Sequence, residues 1–250
     1  MFKILFARLS AIVFLALATF SAPLSASEHP SIKRPFNLPP SADLSYAIKA
    51  GQGPLMLKGD SQVHWATSAN RFVITVDTQA SMLGKILESR SEGVVDGFGL
   101  APTHLTEKRF RKPQHTVTYG RDDHTIRFSE SANTYPIKGG EQDRTSITWQ
   151  LVSIARGTPE VVKAGLEWQF FVVGRSDGES WTFKVIGRET IHTAMGDVTT
   201  IHISKLPSNS KGQQLDLWLA PSLEWYPVRM LYSEPNGTQV DQVLEKITKK

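Results

Sequence analysis

The chain has 250 residues with no cysteine, 40% hydrophobic side chains, and 28 Lys and Arg against 24 Asp and Glu. The missing cysteines exclude a disulfide framework, thiolate metal ligation and lipid attachment at a lipobox. So near a charge balance gives no argument for nucleic acid as a partner.

The first residues, "MFKILFARLSAIVFLALATFSAPLSASEHP", place Lys3 and Arg8 ahead of an apolar run from Leu9 to about Leu24. Residues 1–27 therefore read as a secretory signal peptide, with cleavage after Ala26 or Ser27. The run is shorter than the roughly 20 residues that span a bilayer, and no later stretch is apolar enough, so no transmembrane segment is expected in the mature chain. Removing Lys3 and Arg8 leaves 26 basic against 24 acidic residues, a net charge of +2.

Residues 28–42, "EHPSIKRPFNLPPSA", carry four prolines and read as an irregular N-terminal arm. Residues 43–250 are expected to form one β-rich domain, because about 220 residues bury one good core. Period-two alternation recurs there. Phe72, Ile74 and Val76 share a face, as do His115, Val117 and Tyr119, and Ile126 with Phe128. "GRDD" joins the last two as a hairpin turn. In "EQDRTSITWQLVSIARG", Asp143 or Thr145 can cap a helix, Ile147, Leu151 and Ile154 share its face, and Gly157 can end it.

Further hairpins are expected from "LEWQFFVVG" to "ESWTFKVIG", from "GRETIHT" to "VTTIHIS", and from "QLDLWL" to "WYPVRMLYS". After Asn236-Gly237, a strong hairpin turn, the spacing of Val240, Val243, Leu244 and Ile247 fits either a helix or a strand, and the turn favours the strand. A dozen or so antiparallel strands with one or two packed helices suit a curved sheet, a sandwich or a barrel.

Several short patterns touch on chemistry. "GRSDG" at 174–178 matches the Gly-x-Ser-x-Gly nucleophile elbow, but an elbow leads into a helix and "ESWTFKVIG" reads as a strand. "RDDH" at 121–124 reads as a polar hairpin tip, since adjacent extended residues point to opposite faces. None of the seven histidines forms His-x-His or His-Glu-x-x-His, and His192 and His202 sit on positions that need not face each other. "EKRFRK" at 107–112 puts Arg109 and Arg111 on one strand face, either an anion site or a solvated edge. "NGT" at 236–238 matches a glycosylation acceptor but is explained by the turn. No catalytic set, metal site or cofactor site is expected.

"LWLAPSLEWYPVRMLY" at 217–232 is the most aromatic stretch. Pro221 starts a turn and Pro227 must sit at a strand edge or bulge. Leu215, Leu217 and Leu219 share one face, and Val228, Met230 and Tyr232 share another on the returning strand. Four patterns in this order, "SEGVVDGFGLAPTHL", "EQDRTSITWQL", "VIGRETIHTAMGDVTTIHI" and "WLAPSLEWYPVRM", resemble the exported bacterial family called domain of unknown function 3108, from about Leu44 to Ile247. Gly187, Glu189, Trp218, Pro221, Pro227 and Arg229 fall on its motif positions.

The resemblance implies a periplasmic protein whose single large, strongly curved antiparallel sheet forms an open or half barrel, similar to the lipoprotein carriers. It implies no catalytic residues. The expected function is non-enzymatic, binding of a lipid or other amphiphile in envelope biogenesis. The alternative is a structural or assembly protein that docks an envelope partner through a sheet edge or the 217–232 hairpin. Candidate ligand or partner contacts are Trp149, Leu151, Trp218, Trp225, Tyr226 and Arg229. The helix around Leu151 is either a plug in the barrel or a lid over a ligand.

Overall fold

The structure, a computed structural model, describes residues 29–53, 55–207 and 212–250, so the signal peptide expected at 1–27 lies outside the described residues. Alternation dictates the strands. In Arg71–Ala80 Phe72 and Ile74 are buried and their neighbours are not, which fits a pleat with one wet face. A meander of β1 (Ala42–Gln52), β2 (Leu55–Ser68), β3 (Arg71–Ala80), β4 (Gly84–Asp96) and β5 (Gly99–Arg109) leads to the shorter β6 (His115–Gly120), β7 (Thr125–Phe128) and β8 (Thr134–Pro136). After β9 (Gln142–Asp143) and helix α1 (Ser146–Gly157), a second meander follows: β10 (Glu167–Val173), β11 (Gly178–Thr193), β12 (Gly196–Leu206), β13 (Gln214–Leu219), β14 (Pro227–Ser233) and β15 (Thr238–Lys249).

All fifteen strands among the described residues belong to one sheet, in the order β8 to β1, then β15 down to β9. Pairing is antiparallel except between β9 and β10. The two edge strands, β8 and β9, are consecutive in the chain, joined by residues 137–141. The sheet therefore curls until its ends meet. Leu105, Val117, Tyr119, Ile126 and Phe128 pack against Phe171 and Val173 of β10, and Glu130 pairs with Arg175. Side chains and a short loop, not a ladder, bring the ends together. The result is the open barrel of a single curved sheet.

Helix α1 begins on a reciprocal cap. Asp143 Oδ1 accepts from the backbone N–H of Thr145 and Ser146 at 2.8 and 2.7 Å, and Ser146 Oγ accepts from the N–H of Asp143 at 2.9 Å. Thr145 occupies the cap position but its side chain makes no capping bond. Every residue from Ser146 to Ala155 is buried, which is the signature of a helix inside a core rather than on one. Helix α1 is a plug. Gln150 anchors it to the β4–β5 turn, with Oε1 accepting from Leu100 N–H at 2.8 Å and Nε2 donating to Phe98 O at 2.7 Å.

Residues 29–41 have no regular structure but lie on the plug's end. Asn37 N–H donates to Ser153 O, Arg156 Nη1 to Leu38 O, and Trp65 Nε1 to Pro39 O. The arm passes so close that a Cβ on Gly157 would lie 2.6 Å from the Phe36 Cα.

Two sequence expectations change in detail, and the expected final strand is present. "ESWTFKVIG" and "GRETIHT" form one strand, β11, kinked by a bulge between Val185 and Gly187. The segment after Asn236-Gly237 is a strand, β15, throughout. Arg109 and Arg111 do not share a strand face, because β5 stops at Arg109 and Arg111 turns with φ +56°.

Candidate functional site

The barrel has two different ends. One carries the β2–β3, β4–β5 and β13–β14 turns and is closed by α1 and the arm. The β13–β14 turn holds the aromatic stretch of the sequence. Pro221–Leu223 make one 3-10 turn, and Glu224 and Trp225 follow in the left-handed region at φ +55° and +66°. Two adjacent non-glycine residues there are costly, and their surroundings hold them. Tyr226 donates its hydroxyl to Pro40 O at 2.5 Å, Arg156 Nη2 donates to Glu224 Oε2 at 2.8 Å, and Trp149 meets Tyr226 edge-on after stacking on Trp65 at 4.6 Å. Burial, then Glu224, pushes the Tyr226 phenol up to about 12.

The other end carries the β1–β2, β3–β4, β5–β6 and β14–β15 turns. Helix α1 does not reach it, and a cavity of about 320 Å³ remains. Its wall is largely apolar, formed by Ile48, Val63, Val76, Leu215 and Met230 with the rings of Tyr46 and Trp149. Large apolar side chains stand exposed at the turns of this end. Met56 and Leu57 follow the first turn, Met82 and Leu83 form the second, and Phe110 starts the third, with Met82 86% exposed.

A polar patch interrupts the wall where β4, β11, β12 and the start of α1 meet. Lys205 is only 2% exposed, donates to Gln213 O at 2.9 Å, and holds its ammonium 4.5 Å from the Trp181 ring centre. Burial lowers its pKa, with Glu179 opposing and Arg144 adding to the effect. The Arg144 guanidinium lies 5.9 Å from the same ring, and its buried Nε has no partner. Neither cation is ion-paired with a described residue within 4.0 Å. The nearby carboxylates are engaged elsewhere: Glu107 with Arg109 at 2.6 Å, Glu179 with Trp181 Nε1 at 2.7 Å, and Glu234 with Gln213. Ser89 and Thr145, hydroxyl to hydroxyl at 2.7 Å, complete the patch. Tyr232, opposite Leu215 on the inner face, also lines the cavity.

Of the six contacts expected from the sequence, Trp149 lines this cavity. Leu151 is buried within the plug, and Trp225 and Tyr226 lie at the closed end. Trp218 and Arg229 are on the outer face of the barrel, in a network with other family-motif residues. His202 bridges Glu189 and Asp216 at 3.0 and 2.9 Å, Trp218 Nε1 donates to Glu189 Oε2 at 2.6 Å, and His202 stacks on Trp218 at 4.4 Å. Arg229 lies over the other part of this stack, 4.7 Å from the Trp218 ring centre, and grips Asp241 through two bonds. Trp218 and Trp225 are 5% and 7% exposed, so the 217–232 hairpin presents no exposed tryptophan.

Arg144 and Lys205 escape a sequence reading. The only signal is parity: Ile201, Ile203 and Lys205 alternate in "TIHISK", which aims the lysine to the same face as two isoleucines. Elsewhere, "GRSDG" is the β10–β11 turn, closed by Gly174 N–H to Asp177 O at 2.8 Å, and leads into a strand. "RDDH" is the β6–β7 turn, where Asp123 pairs with Arg127. Among the described residues no three His, Asp or Glu side chains are grouped to hold a metal ion, and no helix is long and apolar enough to cross a membrane.

The family model described as "Protein of unknown function (DUF3108)" matches residues 45–244. No curated protein matches the sequence. Among solved structures, the β-barrel-like protein of domain of unknown function DUF1849 from Brucella abortus is 13% identical, with a TM-score of 0.56 over 86% of this chain and 99% of that one. MucB superposes with a TM-score of 0.32 at 8% identity, over 84% of this chain and 53% of that one. An exported protein with a YmcC-like fold from Bacteroides fragilis gives 0.32 at 12% identity, over 87% of this chain and all of that one. The first of these likenesses shows a shared β-barrel-like fold.

Proposed function

The chain belongs to the DUF3108 family, and on that premise we propose that it is a non-enzymatic periplasmic protein that holds a lipid or other amphiphile in its barrel during envelope biogenesis. One observation carries this reading: the plug fills only one end of the barrel and leaves a largely apolar cavity of about 320 Å³ at the other. Ligand cavities start at about 300 Å³ and are mostly apolar with a few placed polar groups, and this one fits a single acyl chain better than a multi-chain lipid. Met56, Leu57, Met82, Leu83 and Phe110, exposed at the turns of the same end, add support, since exposed apolar surface marks interaction sites. The periplasmic location rests on the charged-then-apolar pattern of residues 1–27.

The partner-docking alternative has less to stand on. The sheet edges are strands of three and two residues that lie near each other, too short to template another strand. The aromatic hairpin is turned inward or held in its own network.

Purifying the protein from the periplasm without detergent and weighing it intact under native conditions tests both parts. The expected result is a start at residue 27 or 28 and one small amphiphile per chain. A protein found only in the cytoplasm with residues 1–27 retained would overturn the location.

A further inference from the structure

We propose that Arg144 and Lys205 form the head-group subsite of this cavity and that its occupant is anionic, an acyl chain ending in a carboxylate or phosphate; this deepens, and rests on, the amphiphile reading. Two cations stand in one apolar-walled cavity without a carboxylate partner among the described residues. Uncompensated buried charge is among the costliest features a fold can carry. Lys205 satisfies one donor on Gln213 O and faces the Trp181 ring, and the buried Arg144 Nε, beside Gly174, finds no acceptor among the described residues.

The surroundings keep the pair free. Of the two acids on the cavity wall, Glu107 is held by Arg109 and Glu234 by Gln213, and Glu179 is held by the Trp181 indole N–H. Both cations lie near the Trp181 ring, a π surface that tolerates them without neutralising them. A carboxylate or phosphate placed there would supply the missing charge and accept from both donors, the charge-assisted arrangement that forms the stronger hydrogen bonds. The hydroxyls of Ser89 and Thr145 stand on the same wall. The apolar wall beyond the patch then takes the chain.

Calorimetric titration of delipidated protein with laurate, lauroyl lysophosphatidate and the neutral monolaurin, each kept below its micelle concentration, tests this. At least one anion is expected to bind roughly tenfold or more tighter than monolaurin, about 1.4 kcal/mol, and comparing the two anions separates carboxylate from phosphate. Lys205→Met and Arg144→Met should each remove most of that preference while monolaurin affinity stays. If monolaurin binds as tightly as both anions, the head-group assignment is wrong and the amphiphile reading survives. Absence of binding by all three overturns both. An unchanged anion preference in either variant, shown folded by its thermal transition, removes that residue from the subsite.

Discussion

His202 shows how one side chain sets the outer face of the barrel. Burial opposes its protonation, but the hydrogen bonds it donates to Asp216 and Glu189 outweigh burial and raise its pKa. Glu189 is lowered chiefly by the Trp218 N–H, and Asp216, though burial works against it, is lowered by His202. A raised histidine contributes stability that is full below its unfolded pKa of about 6.5 and lost as pH rises through the folded value; the lowered carboxylates contribute above about pH 4 and lose it on acidification. The network is therefore strongest between those limits. Urea unfolding should show wild type gaining more over His202→Gln at about pH 5.5 than at about pH 8.5, and an advantage independent of pH would mean that His202 stays neutral. Lys205 contributes in the opposite sense, because its charge is buried without an acid partner among the described residues. Lys205→Met should raise the stability of the ligand-free protein by about 1 kcal/mol or more, measured by the same unfolding, and a large loss would show that the ammonium is a structural keystone.

At the scale of elements, α1 is the part on which the rest is built. Leu151 is fully buried in the plug, so Leu151→Arg should cost more than about 4 kcal/mol and yield unfolded or insoluble protein. A soluble, fully folded variant that had merely lost ligand would make α1 a lid. Asp143→Ala removes the reciprocal cap and leaves Ser91, which donates to Asp143 Oδ2 at 2.5 Å, without its acceptor; a loss of about 2 kcal/mol is expected from thermal unfolding. Most of the strands and this helix were legible because alternation and caps are local signals. Strand β4 was not singled out, since its inward residues at Ser89 and Ser91 are small and polar and answer to Asp143 and Thr145, far along the chain. Gly187 read as a break between two strands and is a bulge within one. "EKRFRK" alternates like a strand, yet the chain turns after Arg109, which local charge does not announce.

On the scale of the whole molecule, the sheet closes at one end and stays open at the other because a single twelve-residue helix cannot fill a fifteen-strand curl. The sequence carried the curved sheet through the family resemblance and the core through its periodicity. The cavity was illegible, since it is assembled from β1 to β5, β11 to β15 and the start of α1, and sequence spacing says nothing about such convergence. The family motifs mark scaffold: Ser91 holds Asp143, the turn at Gly99 receives Gln150, and Glu189, Trp218 and Arg229 build the outer network. Other motif residues reach the cavity, since Arg144, Thr145 and Trp149 of "EQDRTSITWQL" and Pro227 line it, and Trp149 alone among the expected contacts does so.

The central claim is that this cavity holds an amphiphile, and a blocked cavity tests it most directly. Val76 lines the cavity without being fully buried, so Val76→Trp can place an indole in the space an acyl chain would take. Wild type and Val76→Trp would be isolated side by side without detergent and weighed intact by native mass spectrometry. The account predicts one bound amphiphile per wild-type chain and none on a folded Val76→Trp protein. The same ligand at the same occupancy on both, or none on either after incubation with an envelope lipid extract, would contradict it.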